Sequence, residues 1–306
     1  MKKIKAKPLI PGDKIGIIAP ASPVKSSEQV TEAISVLVER GYRIVLGKTA
    51  IPMSGDLAGS DLVKQAELEK LWYDQSIKAI WCLRGGYGSI RLIPRLWFGL
   101  FAKIPKILIG FSDITALELA IWSQAGLVTF HGPVLTHLKS SFSITKTFEL
   151  LENREITLNW PENKIYPEYT VIKKGQAQGV LLGGNLTTLN SLMGTKYMPN
   201  FEGVIIFIEE VGEEAYKIDR MLSQLIISGI FGSAAAVLVG RSLPAPSWTE
   251  AELIAVFVER LSLLDCPSAY GFPIGHFHHQ WTLPQGVWAE INIDKGNLKI
   301  IESPFS

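Results

Sequence analysis

The sequence predicts an α/β fold in which an N-terminal doubly wound parallel-sheet domain is followed by a second α/β domain. Three observations predict it. Short apolar runs alternate with amphipathic helical patterns over roughly the first 135 residues, as in a parallel sheet covered by crossover helices. Residues 140–175 lose that regularity, with Trp160-Pro161-Glu162-Asn163 and Tyr166-Pro167 punctuating them. Strand-like runs at 179–182, 204–208 and 234–239 then resume the alternation. The expected division is an N-terminal domain over 1–140, an interdomain connection over 141–175 and a C-terminal domain over 176–306.

Residues 14–19 read as the first strand. Ser26 with Gln29 then forms a capping box, and Val30, Ala33, Ile34, Leu37 and Val38 recur at helical spacing until Gly41 ends the helix. Strands are expected at 42–46, 79–83 and 106–109, separated by helices near 60–73 and 89–96. A helix from about Asp113 leads to a short strand at 127–130. In the second half, Ile218, Met221, Leu222, Leu225 and Ile226 mark the buried face of a helix. Runs at 287–293 and 298–301 flank Asp294-Lys295-Gly296-Asn297, a β-hairpin turn.

With 306 residues, 47% hydrophobic and 19% charged, the chain is neither disordered nor fibrous. The 30 basic and 29 acidic residues leave a net charge of +1 without a basic block, so nucleic acid is not an expected partner. The basic N-terminus reaches Pro11-Gly12-Asp13 before any apolar stretch of signal-peptide length, and the longest apolar runs fall far short of the roughly 20 residues that span a bilayer. Cys82 and Cys266 lie in apolar surroundings without metal-ligand spacing and read as reduced core residues. The expectation is a cytoplasmic protein with no membrane partner.

Four stretches adjoining strands are candidates for chemistry. Arg84-Gly85-Gly86-Tyr87-Gly88 can turn sharply and aim backbone N–H groups as an oxyanion hole or anion cradle, or can be a plain tight turn. It matches neither a Walker loop nor a full dinucleotide fingerprint. Gly110-Phe111-Ser112-Asp113 places a serine on a strand-to-helix turn, as a nucleophile elbow does, although Ile114 replaces that motif's last glycine. The competing reading makes Ser112 or Asp113 a helix N-cap. Glu209-Glu210-Val211-Gly212-Glu213-Glu214 follows a strand and offers a carboxylate to orient a histidine, or is a solvated acidic turn. Gly275-His276-Phe277-His278-His279 offers a base for serine, or zinc ligands, although no cysteine or carboxylate company adjoins it. His131, in Phe130-His131-Gly132-Pro133, is a rival base or a site-lining residue.

Taken in order, these stretches resemble the LD-carboxypeptidase family of serine peptidases, which also includes the microcin C self-immunity proteins. Further matching motifs are Pro11-Gly12-Asp13 through Pro20-Ala21-Ser22, Leu57-Ala58-Gly59-Ser60-Asp61, Gly183-Gly184-Asn185-Leu186, Tyr216 to Leu222, and Thr282-Leu283-Pro284. The resemblance implies Ser112 as nucleophile, Glu209 as orienting carboxylate and His276 as general base. It implies an oxyanion hole from the backbone N–H of Asp113 with one from Gly85 or Gly86, and no metal or cofactor. Glu210 stands where relatives often carry Asp; Glu209 is preferred because it directly follows the strand. The implied fold has a smaller C-terminal domain and an active site in the cleft between the domains.

The implied activity is release of D-alanine from a cytoplasmic murein tetrapeptide during cell-wall recycling, with a homodimer as the implied assembly. Arg84 is a candidate for the terminal carboxylate, with Tyr87 and His131 as other candidate substrate contacts. Two alternatives stand beside it. One is an immunity-type peptidase acting on a microcin C-like aminoacyl-nucleotide, although Tyr216-Lys217-Ile218-Asp219-Arg220 looks more like the murein enzymes. The other is a non-catalytic two-domain ligand-binding protein.

Overall fold

The computed structural model describes residues 2–153, 157–159 and 169–306. The punctuation at Trp160-Pro161-Glu162-Asn163 and Tyr166-Pro167 lies outside them. Two compact units result: Met1–Glu155 with Thr282–Gly286 and Pro304–Ser306, and Ile156–Trp281 with Val287–Ser303.

The first unit begins as the sequence predicts, with strand β1 (Lys14–Ile18), helix α1 (Ser27–Glu39) and strand β2 (Arg43–Leu46). Then come α2 (Asp61–Tyr73), β3 (Ile77–Cys82), α3 (Phe98–Lys103), β4 (Ile107–Gly110), α4 (Thr115–Ala125), β5 (Thr129–His131) and α5 (Ser141–Leu151). Ser26 accepts from the Gln29 N–H, but the Gln29 side chain accepts from the Lys25 N–H, so the expected capping box is only half formed. The helix expected over 89–96 is instead two 3-10 turns, Ser89–Arg91 and Ile93–Arg95. Pro94 supplies no N–H to a longer helix.

The second unit contains β6 (Thr157–Asn159), β7 (Thr170–Lys173), β8 (Gln176–Asn185), α6 (Leu186–Ser191), β9 (Val204–Glu209) and α7 (Ala215–Ile227). It continues through β10 (Ala236–Gly240), α8 (Glu250–Leu261) and β11 (Ser268–Phe272). The chain then gives β12 (Leu283–Gln285) to the first unit and closes the second with β13 (Trp288–Asn292) and β14 (Asn297–Ile300). Thr249 and Glu252 make a complete capping box for α8.

In the first sheet the order is β12-β5-β4-β3-β1-β2, parallel except for β12. The second is β6-β14-β13-β8-β9-β10-β11-β7, with a parallel centre of β8 to β11 and antiparallel edges. Central strands such as β4 and β9 are buried along their whole length, which accounts for their unbroken apolar runs. Both candidate chemical segments, after β4 and after β9, therefore emerge at the carboxyl ends of parallel strands, where open α/β sheets bind ligands.

The units differ from the expected boundaries in two places. Helix α5 falls in the first unit: its Phe148 is buried and stacks on Tyr42 at a centroid distance of 5.8 Å, so the unit extends beyond residue 140. Strand β12 also joins the first unit, pairing Leu283 with His131 and Gln285 with Thr129. Its anchor is polar: buried Gln285 donates from Nε2 to buried Glu118 Oε2 at 2.8 Å. Three residues are too few to show a strand period, so the exchange left no pattern in the sequence.

Among the described residues no helix is long and apolar enough to cross a membrane. Gln285→Ala strips a donor from a buried carboxylate and is expected to lower stability by about 1–3 kcal/mol, read as a lower urea midpoint.

Candidate active site

In the first unit the chain leaves β4 through Phe111 in extended conformation and enters Ser112 at φ 63°. That left-handed conformation costs a non-glycine residue about 1–3 kcal/mol, so the surroundings must hold it. Ser112 and Asp113 then start a 3-10 turn, Ser112–Ile114, which runs into α4. Neither side chain caps the helix. The N-cap reading of this stretch is therefore replaced by a strained turn with its serine half-buried.

The Asp113 carboxylate turns to the glycine-rich loop instead. Its Oδ2 accepts from the Ser89 N–H at 2.7 Å and its Oδ1 from the Gly88 N–H at 3.3 Å, while the Ser89 hydroxyl donates to the Asp113 carbonyl. Burial raises the Asp113 pKa, opposed by these donors and by the charge of Lys64. From the other side, Ser22 holds the same loop: its Oγ accepts from the Tyr87 N–H at 3.1 Å and donates to the Asp56 carbonyl at 2.7 Å. Its own N–H donates to the Gly85 carbonyl at 3.3 Å.

The glycines have steric reasons. A Cβ on Gly85 would lie 3.0 Å from Ser112 Cβ and 3.2 Å from Ser112 Oγ. Gly86 has φ +114°, and a Cβ there would lie 2.3 Å from Ser22 Oγ. The structure thus brings Ser112, Asp113, Gly85 and Gly86 together. Neither Ser22 nor Ser89 stood out as functional, although Ser22 closes the motif Pro20-Ala21-Ser22.

Three further candidates of the first unit, Arg84, Tyr87 and His131, have different surroundings. Arg84 donates from Nη1 to the Pro23 carbonyl at 2.7 Å and lines a cavity of about 470 Å³ with Lys25, Gln29, His137 and Lys139. Tyr87 is exposed. His131, expected to line a site, is fully buried at the end of β5, edge-on to Phe111 and with Nδ1 3.6 Å from Glu118 Oε2. The pairing of β5 between β4 and β12 holds it in the interior.

In the second unit Glu209 ends β9, and its Oε2 lies 2.7 Å from His276 Nδ1. An ionised carboxylate only accepts, so Nδ1–H is the donor and Nε2 keeps its lone pair, the arrangement a general base requires. Burial alone would lower the His276 pKa; the charge and hydrogen bond of Glu209, with the charge of Glu210, outweigh it and raise the value above 6.5. The approach depends on Gly275, at φ +91°, where a Cβ would lie 2.4 Å from Glu209 Oε2.

Glu210 is employed otherwise. Its Oε2 accepts from the Thr187 N–H at 2.8 Å and from the Thr187 hydroxyl at 2.7 Å, and its Oε1 accepts from Asn185 Nδ2 at 3.1 Å and from its neighbour Val211 N–H. Burial raises its pKa first, then the neighbouring charge of Glu209. His278 and His279 form a ring cluster with Phe277, with centroids 4.5 Å apart for Phe277–His278 and 4.4 Å for His278–His279. Among the described residues no group of three His, Cys, Asp or Glu side chains is disposed to hold a metal ion.

Residues 15–132 match the LD-carboxypeptidase N-terminal domain and residues 178–291 the LD-carboxypeptidase C-terminal domain. The chain belongs to the LD-carboxypeptidase family. Among its relatives is the probable murein peptide carboxypeptidase of Bacillus subtilis (strain 168), 37% identical over 94% of this chain and 91% of that protein. Microcin C7 self-immunity protein MccF in complex with aspartyl sulfamoyl adenosine superposes with a TM-score of 0.91 at 28% identity, over 99% of this chain and 100% of that one. Muramoyltetrapeptide carboxypeptidase from Oxalobacter formigenes gives 0.80 at 29% identity, over 94% and 97% of the two chains. The LD-carboxypeptidase family motifs that carried the resemblance thus lie on a matching two-domain α/β fold.

Two predictions arise from this geometry. Gly85→Ala adds a methyl that presses on Ser112 without a φ penalty, and is expected to lower turnover by about a hundredfold while leaving the melting temperature nearly unchanged. The neutral, proton-accepting form of His276 is lost as pH falls through its raised pKa. Glu209→Gln removes the charge that raises it, so the acid limb of kcat/KM is expected to move to lower pH, with a lower plateau.

Proposed function

We propose that the chain is a serine LD-carboxypeptidase that releases D-alanine from a murein tetrapeptide. The observation that carries this reading is Ser112, held at φ 63° on the turn between β4 and α4 with its hydroxyl left free of helix capping. The His276–Glu209 pair supplies a base in the tautomer a serine needs, and the 37% identity to a probable murein peptide carboxypeptidase supports the substrate class.

In this reading Ser112 Oγ attacks the carbonyl carbon joining an L-centre to the terminal D-alanine, and its proton passes to His276 Nε2. Glu209 stabilises the resulting imidazolium through Nδ1–H. The negative charge on the carbonyl oxygen is met by the N–H of Asp113 and an N–H of the Gly85-Gly86 turn. Collapse breaks the C–N bond, and the departing amine takes the proton back from His276. Water, deprotonated by the same histidine, then hydrolyses the ester on Ser112. The reading places the reaction in cytoplasmic cell-wall recycling.

A second reading, cleavage of an aminoacyl-nucleotide, is favoured by the TM-score of 0.91 to MccF bound to aspartyl sulfamoyl adenosine, against 0.80 for the muramoyltetrapeptide carboxypeptidase. Side-by-side turnover of a tetrapeptide ending in D-alanine and of an aspartyl-nucleotide separates the two, with faster tetrapeptide cleavage expected.

Ser112→Ala is expected to lower D-alanine release, followed by mass spectrometry, by roughly a millionfold. Equal release from wild type and variant would sink the serine mechanism.

A further inference from the structure

Two lysines of the first unit have lost almost all contact with water, Lys64 and Lys106, each 2% exposed. Lys106 is accounted for: its Nζ donates to the carbonyls of Asp74 and Ile77, both at 2.6 Å. Lys64 is not. Its side chain is fully buried, its Nζ has no hydrogen-bond partner, and Asp61 Oδ1 lies at 3.7 Å, beyond hydrogen-bond reach. The other oxygen of Asp61 is already taken by Arg91, whose Nε and Nη2 both lie 3.0 Å away. A buried ammonium without hydrogen bonds is costly, and an apolar side chain of similar length would be cheaper at this position.

The position of that ammonium is informative. A Cβ on Gly88 would lie 3.5 Å from Lys64 Nζ, so the charge stands against the glycine loop at the residue whose N–H the Asp113 carboxylate grips. Burial lowers the pKa of Lys64, Asp61 does most to raise it, Arg91 opposes that, and Asp113 raises it further; Lys64 in turn lowers the pKa of Asp113, against the effect of burial. Asp113 joins two segments, since its carboxylate holds Gly88 and Ser89 while its backbone follows Ser112 directly. Whatever keeps this carboxylate in place therefore fixes the spacing between the Asp113 N–H and the N–H groups of Gly85 and Gly86.

We propose that Lys64 is a positioning residue of the oxyanion hole, its buried ammonium behind Gly88 fixing the Gly85–Ser89 loop against Ser112 through the Asp113 carboxylate. This rests on Ser112 as nucleophile and on these N–H groups as oxyanion donors. The role concerns the tetrahedral state, in which the carbonyl oxygen has become negative, rather than binding of the intact peptide.

The test is Lys64→Met in the full chain, with Asp113→Asn and the double variant. Lys64→Met is expected to melt close to the wild-type temperature, because the ammonium it removes has no hydrogen bond to lose and Asp113 keeps the N–H donors of Gly88 and Ser89. Its kcat is expected to fall by about tenfold to a hundredfold with KM unchanged, and inhibition by a peptide aldehyde, which mimics the tetrahedral state, to weaken by the same factor as kcat/KM. In the Asp113→Asn background the Lys64→Met change is expected to cost little more, because the two act in series. A Lys64→Met enzyme with wild-type kcat, a fall in kcat accompanied by a fall in melting temperature or loss of folding, or fully additive losses in the double variant would each overturn the proposal. Ser112→Ala assayed alongside separates the premises: full activity there removes the nucleophile itself, whereas inactivity there with wild-type kcat in Lys64→Met removes only the role of Lys64.

Discussion

Ser112 occupies a backbone conformation that L-residues avoid, and much of the first unit's local architecture is arranged around holding it. Gly110 has no side chain because Ile114 folds back over it, where a Cβ would meet Ile114 at 2.7 Å. Gly85 has none because Ser112 itself is there. The next residue, Asp113, spends its carboxylate on the glycine loop rather than on its own helix, so the strand-to-helix turn and the loop after β3 become one hydrogen-bonded piece. The strain at Ser112 is thereby over-determined from both directions along the chain.

The second unit solves a different problem by different means. Glu209 is a fully buried carboxylate, expensive unless partnered, and the partner is a histidine brought within 2.7 Å by a glycine turn. The raised pKa of His276 shows which effect wins there: burial alone would have lowered it, and the carboxylates reverse the sign. Glu210, one residue along, faces the start of α6 and is satisfied by backbone and side-chain donors. Alternation along a strand end sends adjacent carboxylates to opposite sides, and so gives two neighbouring glutamates unrelated jobs.

Much of this was legible in the sequence, because strands buried on both faces write unbroken apolar runs and because Ser112, Glu209 and His276 sit in motifs that follow such runs. Glu209 was preferred over Glu210 because it directly follows the strand, and the structure adds where the two side chains go: Glu209 to His276, Glu210 to Thr187 and Asn185. The role of Asp113 was half legible: its backbone N–H follows from its place after Ser112, but nothing local announces that its side chain reaches Gly88 and Ser89. Strand β12 and the burial of His131 were illegible for one reason, a three-residue strand arriving from the far end of the chain. Lys64 lay unremarked in α2, and only its burial sets it apart.

The central claim is that Ser112 carries the acyl group. Rapid quenching of the protein during turnover of a tetrapeptide ending in D-alanine, or of the corresponding ester, followed by proteolysis and mass spectrometry, locates that group directly. The account predicts an adduct of the truncated peptide on the fragment containing Ser112, absent in Ser112→Ala. An adduct on another residue, or sustained D-alanine release without any acylated Ser112, would contradict it.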